Sequence, residues 1–359
     1  MKSAWTVILA VAATAIFFNA CSKKGGSVDG GVSTDNFKTE MLTNYADNLI
    51  VPGYNDLAAK LAALEAEANN FINTPTAATL DALKPVFKAA YLSYERVSMP
   101  FFGPASSISA NRYMNTFPAS VAGIEAGIQS GVYDLTVPGT SDSLQGFPAL
   151  DYLLCSGDAV AKFSAAGATN RKKYVQDVIA RMKQLNQTIL TQWNSGYRAV
   201  FISSLKTDVG SSIGLMVNQF ASEMDAMKGP RIGWPFGKQS NGTVFADKCE
   251  AYYSGFSAAL AVENLSSLKN YYTGGAGSGM DDYLLLLKKD QLNSDVLAQF
   301  DIAINALKAI PEPMSGAFTA NAALVEEAYR QVQKLLTLLK TDVASATGVQ
   351  INYMDNDGD

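Results

Sequence analysis

The chain of 359 residues contains no histidine. That absence excludes Ser-His-Asp and Cys-His catalysis, which need imidazole to carry the proton. It also excludes the commonest zinc sites, so a metal here would need oxygen or thiolate ligands. Charge is sparse as well: 17% of residues are Asp, Glu, Lys or Arg, with a net charge of -5. No basic patch stands out. Nucleic acid is therefore excluded as a main partner, because that binding rests on neutralising phosphates with Lys and Arg. Cysteine is limited to three positions, and alternating strand patterns with β-branched runs are scarce. Apolar residues are plentiful at 48%, enough for a sizeable core.

The chain opens with Lys2 and an apolar run from Ala4 to Phe18. The run is short for a membrane span and suits the core of a signal peptide. It ends at Asn19-Ala20-Cys21, a small residue followed by cysteine, which resembles a bacterial lipobox with Phe18 at the usual Leu position. The expectation is a signal peptide over residues 1–20 and a lipid on Cys21; a plain signal peptide with an incidental cysteine is the alternative. Residues 21–35 are rich in Gly and Ser and read as a flexible tether. The membrane, reached through this anchor, is then a partner. Lys23 and Lys24 favour the periplasmic face of the outer membrane. Cys155 and Cys249 remain, and the sequence leaves open whether they pair or stay as separate thiols.

The body reads as helical. Tyr54, Leu57, Leu61, Leu64, Ala68 and Phe71 recur at three- and four-residue spacing. Thr79 is a candidate N-cap for a helix opening at Leu80. Further helices are expected over Asn170 to Trp193, Ser203 to Met227, Asp247 to Tyr272 and Asp281 to Leu287. Leu324, Ala328, Val332, Leu335, Leu339 and Val343 form the clearest apolar stripe. The expected fold class is all-α, with two antiparallel helical bundles packed together and a possible pseudo-repeat. The N-terminal bundle is assigned to 36–200 and the C-terminal bundle to 201–359, with the break near Tyr197 to Lys206. The chain ends in an acidic tail, Asp355, Asp357 and Asp359, which lacks the spacing of a calcium loop.

Six stretches in order, from about residue 36 onward, resemble the imelysin-like family of bacterial envelope proteins. They begin at Asn44, Ala90, Met114, Gly146, Gly229 and Leu338. The family hallmark is G-x-H-x-x-E, continued by Tyr-Leu-Leu. Gly146 matches the Gly and Tyr152-Leu153-Leu154 the continuation, but Pro148 stands in the His position and Asp151 in the Glu position. The resemblance implies a metal-binding or peptidase-like site there, and iron or another divalent cation as a cofactor or cargo. Proline can neither ligate a metal nor move a proton. Read from the residues alone, Pro148 fits the first turn of a helix. Asp151 then lies in or near that turn, favoured by the helix dipole, or belongs to a ligand site.

Other candidates are Glu95 after Tyr94, and Glu125, both carboxylates in apolar helical surroundings that need partners. Glu95, Glu125 and Asp151 could converge on a hard cation. Alternatively they pair with Arg96, Arg112 or Arg231. Arg231 and Ser254 belong to segments that the resemblance places along a cleft, where Arg would suit an anionic ligand. The expected function is a noncatalytic binding or accessory protein in metal (iron) or nutrient acquisition, with an unknown small ligand or envelope protein as partner. The alternative is a hydrolase working through carboxylates only.

Overall fold

The computed structural model describes residues 34–352. The expected signal peptide, Cys21, the tether up to residue 33 and the acidic tail lie outside the described residues. No strand occurs among the described residues, and the fold is all-α.

The first helical stretch runs from α1 (Thr34–Asn44) through a widened π turn, Tyr45–Ile50, into α2 (Val51–Asn73). The widening falls just before Pro52. A proline lacks an N–H and crowds the carbonyl four residues back, so a wider turn there relieves the clash. A three-residue connection turns the chain into α3 (Ala77–Glu95). Its N-cap is Thr76, whose hydroxyl accepts the Thr79 N–H while Thr79 returns the bond. Thr79 is thus the third helical residue of a capping box and not the cap.

Next come α4 (Val121–Ser130), α5 (Gly146–Cys155) and α6 (Thr169–Gln192). Helices α2, α3 and α6 pack side by side. Val175, Val178, Ile179, Met182, Leu185 and Ile189 are all buried on α6, as their spacing predicts. Asn186 on α6 donates to the Tyr54 carbonyl at 3.0 Å, fixing α6 against α2.

Beyond a π turn at Trp193–Tyr197, the chain forms α7 (Ser212–Ala226), a further π turn at Met227–Gly233, then α8 (Ser257–Tyr272), α9 (Asp290–Lys308) and α10 (Ala322–Thr337). Helices α8, α9 and α10 pack in sequence, and α8 also lies on α3. One continuous apolar core runs through both groups of helices.

Two expected helix starts shift, and one stripe residue is replaced by its neighbour. The helix expected from Ser203 begins at Ser212, because residues 204–211 form turns through Gly210 at φ +86°. The helix expected from Asp247 begins at Ser257, because Ala251 at φ +50° and Gly255 at φ +73° break helical geometry. On α10, Leu324 is 39% exposed and Val325 takes its place in the buried stripe. Cys155 and Cys249 are free thiols. No described helix is long and apolar enough to cross a membrane.

Candidate functional site

Helix α5 starts at Gly146, whose φ is +75°. A Cβ there would sit 2.3 Å from the Met114 carbonyl oxygen. Only glycine fits, on both conformational and steric grounds. The next residue, Phe147, is fully buried and stacks on Tyr91 with ring centroids 4.5 Å apart. Burying that ring stabilises the helix position by about 2–3 kcal/mol. Pro148 is the third residue of the helix, where its missing N–H costs nothing.

Asp151 is the sixth helical residue, 2% exposed. It lies past the first turn, so it does not serve the N-terminus of its own helix, contrary to one of the sequence expectations. Its two oxygens accept the backbone N–H groups of Tyr253 (2.9 Å) and Ser254 (3.0 Å). The carboxylate thereby pins the irregular turn at 251–255 that precedes α8. Burial pushes its pKa up to about 6, and the bonds from Ser254 and Tyr253 only partly offset that. Ser254 therefore meets Asp151, as one residue of the pinned turn.

A second assembly lies where α3, α7, α8 and the Met227–Gly233 turn meet. Arg231 donates to Glu95 at 2.8 Å and to Glu250 at 2.5 Å. All three are buried, with Glu95 fully so. Asn115 donates to Glu250 at 2.6 Å and to Glu95 at 3.4 Å. Tyr91 OH reaches Glu250 at 3.1 Å. On the other side, Asn264 donates to Glu95 at 3.0 Å, Ser98 at 2.8 Å and Glu223 at 3.1 Å. One guanidinium faces two buried carboxylates, so the pair is one positive charge short. Burial pushes the Glu95 carboxyl well above its usual range, against the pull of Arg231. Arg231 itself loses to burial but gains more from Glu250, Glu95 and Glu223, and stays charged. Tyr94 is buried beside this assembly, and burial followed by Glu95 and Glu223 raises its hydroxyl pKa.

Glu125 belongs to neither group. Arg171 grips it at 2.5 and 2.6 Å, Tyr152 OH donates to it, and Lys162 lies 3.7 Å away. Although burial opposes ionisation, these partners hold its pKa down. The convergence of Glu95, Glu125 and Asp151 on one cation is therefore not what the fold builds. Among the described residues, no three His, Cys, Asp or Glu side chains form a group suited to a metal. Of the three arginines weighed as partners, Arg231 takes Glu95, whereas Arg96 pairs with Glu263 and Arg112 with Asp142.

Two cavities flank the pinned turn. One, of about 350 Å³, is lined by Pro148, Asp151, Asp247, Lys248 and Tyr252 among others. The other, of about 450 Å³, includes Lys84, Lys88, Cys155, Ser254 and Phe256. Sequence reading missed Glu250, Glu223, Asn115, Asn264 and Tyr91. Two of them carried a signal. Tyr91 sits one turn before Glu95 on the same helix, and Asn264 falls on the apolar stripe of Leu260, Ala261, Leu265 and Leu268.

The Imelysin family model matches residues 50–341 of this chain. The chain belongs to the imelysin family. Iron-regulated protein A of Synechococcus elongatus is 24% identical over 321 residues, covering 85% of this chain and 83% of that protein. Two crystal structures share the imelysin fold. A protein described as an iron-regulated protein A precursor from Parabacteroides distasonis matches with a TM-score of 0.75 and 21% identity, over 88% of this chain and 96% of that one. An imelysin-like protein from Psychrobacter arcticum 273-4 matches with a TM-score of 0.73 and 19% identity, over 91% and 100%.

Proposed function

We propose that this imelysin is a noncatalytic binding or accessory protein of the bacterial envelope, held by a lipid on Cys21 at the periplasmic face of the outer membrane and serving iron or nutrient acquisition. The observation that carries the noncatalytic reading is the state of the groups around Pro148. The motif position holds proline, both Asp151 oxygens are taken by backbone N–H groups, and Glu95 and Glu250 are tied to Arg231. No carboxylate among these is free to activate water while a second donates a proton. The iron link is supported by relatives named for iron regulation. The 350 Å³ cavity beside Pro148 and Asp151 has the volume of a small-ligand site.

One observation favours a hydrolase using carboxylates. Asp151 has a pKa near 6 at the wall of that cavity, where a general acid or base could operate. A peptidase assay separates the two readings. The purified protein is expected to show no turnover of a peptide library, with or without added Fe²⁺, Zn²⁺ or Ca²⁺. Turnover abolished by Asp151→Asn would establish the hydrolase instead. The anchor has its own test: Cys21→Ser is expected to move the protein from the membrane fraction to the soluble one, and unchanged fractionation would rule it out.

A further inference from the structure

The 450 Å³ cavity adjoins the pinned turn at Tyr253, Ser254 and Gly255, and neither Pro148 nor Asp151 lines it. Its lining divides sharply by chemistry. Pro85 and Tyr253, both exposed, and the accessible part of Phe256 supply apolar surface. Lys84 and Lys88, one helical turn apart on α3, supply two ammonium groups. The acidic neighbours are already engaged. Asp81 takes Lys84 at 3.0 Å. Glu312 accepts the Ala259 N–H at 2.8 Å and the Met314 N–H at 3.1 Å, one on each oxygen. Lys88 forms no salt bridge among the described residues; its ammonium sits 5.3 Å over the Phe256 ring.

We propose that this cavity binds a small organic carboxylate with a flat apolar body, the carboxylate on the Lys88 ammonium and the body against Pro85, Tyr253 and Phe256. The volume lies within the 300–1,000 Å³ typical of small-molecule sites. An apolar wall with one or two placed charges is the usual composition of such sites, and the charge selects the sign of the ligand. Lys88 is half-buried, so its charge is less screened than that of a fully exposed lysine. The position over Phe256 keeps the ammonium at the apolar face, where it meets the ligand without being reordered. Lys84 adds a second, more exposed cation at the same wall. A cationic ligand of the same shape would face Lys84 and Lys88, and the carboxylate in the lining, Glu312, already has a backbone N–H on each oxygen.

The test is calorimetric titration of the full chain with benzoate and hexanoate, and with benzylamine as the cation of matching shape. At least one carboxylate is expected to bind saturably at one site, and benzylamine is not. Lys88→Gln is expected to weaken carboxylate binding roughly tenfold or more, the worth of one charge-assisted hydrogen bond. Arg96→Gln removes a cation elsewhere on the surface and is expected to leave binding unchanged. A thermal melt of each variant confirms folding. The proposal is overturned if neither carboxylate binds, if benzylamine binds as well as they do, or if Lys88→Gln binds like the parent. The peptidase and metal results described above bear on the other cavity and leave this outcome independent of them.

Discussion

Asp151 accepts the backbone N–H of Ser254 at 3.0 Å, joining two points 103 positions apart in the chain. Together with the Tyr253 N–H on its other oxygen, this makes one carboxylate the fastener between α5 and the turn ahead of α8. Asp151 is thus occupied in holding the architecture. Its chemistry still registers, because a buried acid answers to pH.

Stability should carry that signature. The unfolded-state value for Asp151 is 3.8 and the folded value about 6. Between these values the folded protein holds a proton that the unfolded chain has released. Its contribution is therefore greatest in acid and is lost as pH rises from about 4 to about 6. Asp151→Asn removes the titration. The difference in unfolding free energy between parent and variant is expected to change by about 2 kcal/mol between about pH 4.5 and about pH 7. Urea melts at the two pH values measure it; a constant difference would show that Asp151 does not titrate in this window.

Gly146→Ala should be severe for so small a change. The new methyl would meet the Met114 carbonyl in a backbone conformation that alanine resists. A loss of about 3 kcal/mol or more is expected, read as a lowered thermal midpoint. Alanine at Gly157, where a Cβ meets nothing, should cost less than about 1 kcal/mol.

Arg231→Met strands Glu95 and Glu250 without their cation in the interior. The expected cost is about 3–5 kcal/mol. Adding Glu95→Gln and Glu250→Gln to the same chain should recover about half of it or more, because amides need no counter-charge. If the triple variant is no more stable than Arg231→Met, charge is not what the arginine supplies.

A matched pair on α10 tests its register. Leu324→Ala should change stability by less than about 0.5 kcal/mol, since Leu324 is half-exposed at the helix start. Val325→Ala should cost about 1–3 kcal/mol, since Val325 is fully buried.

That pair also marks the limit of what periodicity reveals. The stripes of α2 and α6 were legible because apolar residues repeat along them at helical spacing and each one is buried. Leu324 misled because 324, 328 and 332 are each four apart, and every such step drifts about 40° round a helix of about 3.6 residues per turn, which carries Leu324 off the buried side. The false helix over 247–256 has a different cause. There Ala251 and Gly255 adopt positive φ, and the Tyr253 and Ser254 amides between them meet Asp151. Nothing local in the sequence announces a bond to a residue so far away. In the same way the Glu95–Arg231 pair was among the partners weighed, whereas Glu250 was not, because its role exists only once three distant segments meet.

The glycine at the head of α5 carries a broader meaning. Its contact with Met114 is made by backbone atoms, and Phe147 locks the helix from the adjacent position. Together they set where positions 148 and 151 stand, whatever residues occupy them. The frame and its chemistry are written in separate letters. The same frame would stand with other side chains at 148 and 151, so the shape of this helix start does not by itself say what chemistry those positions carry.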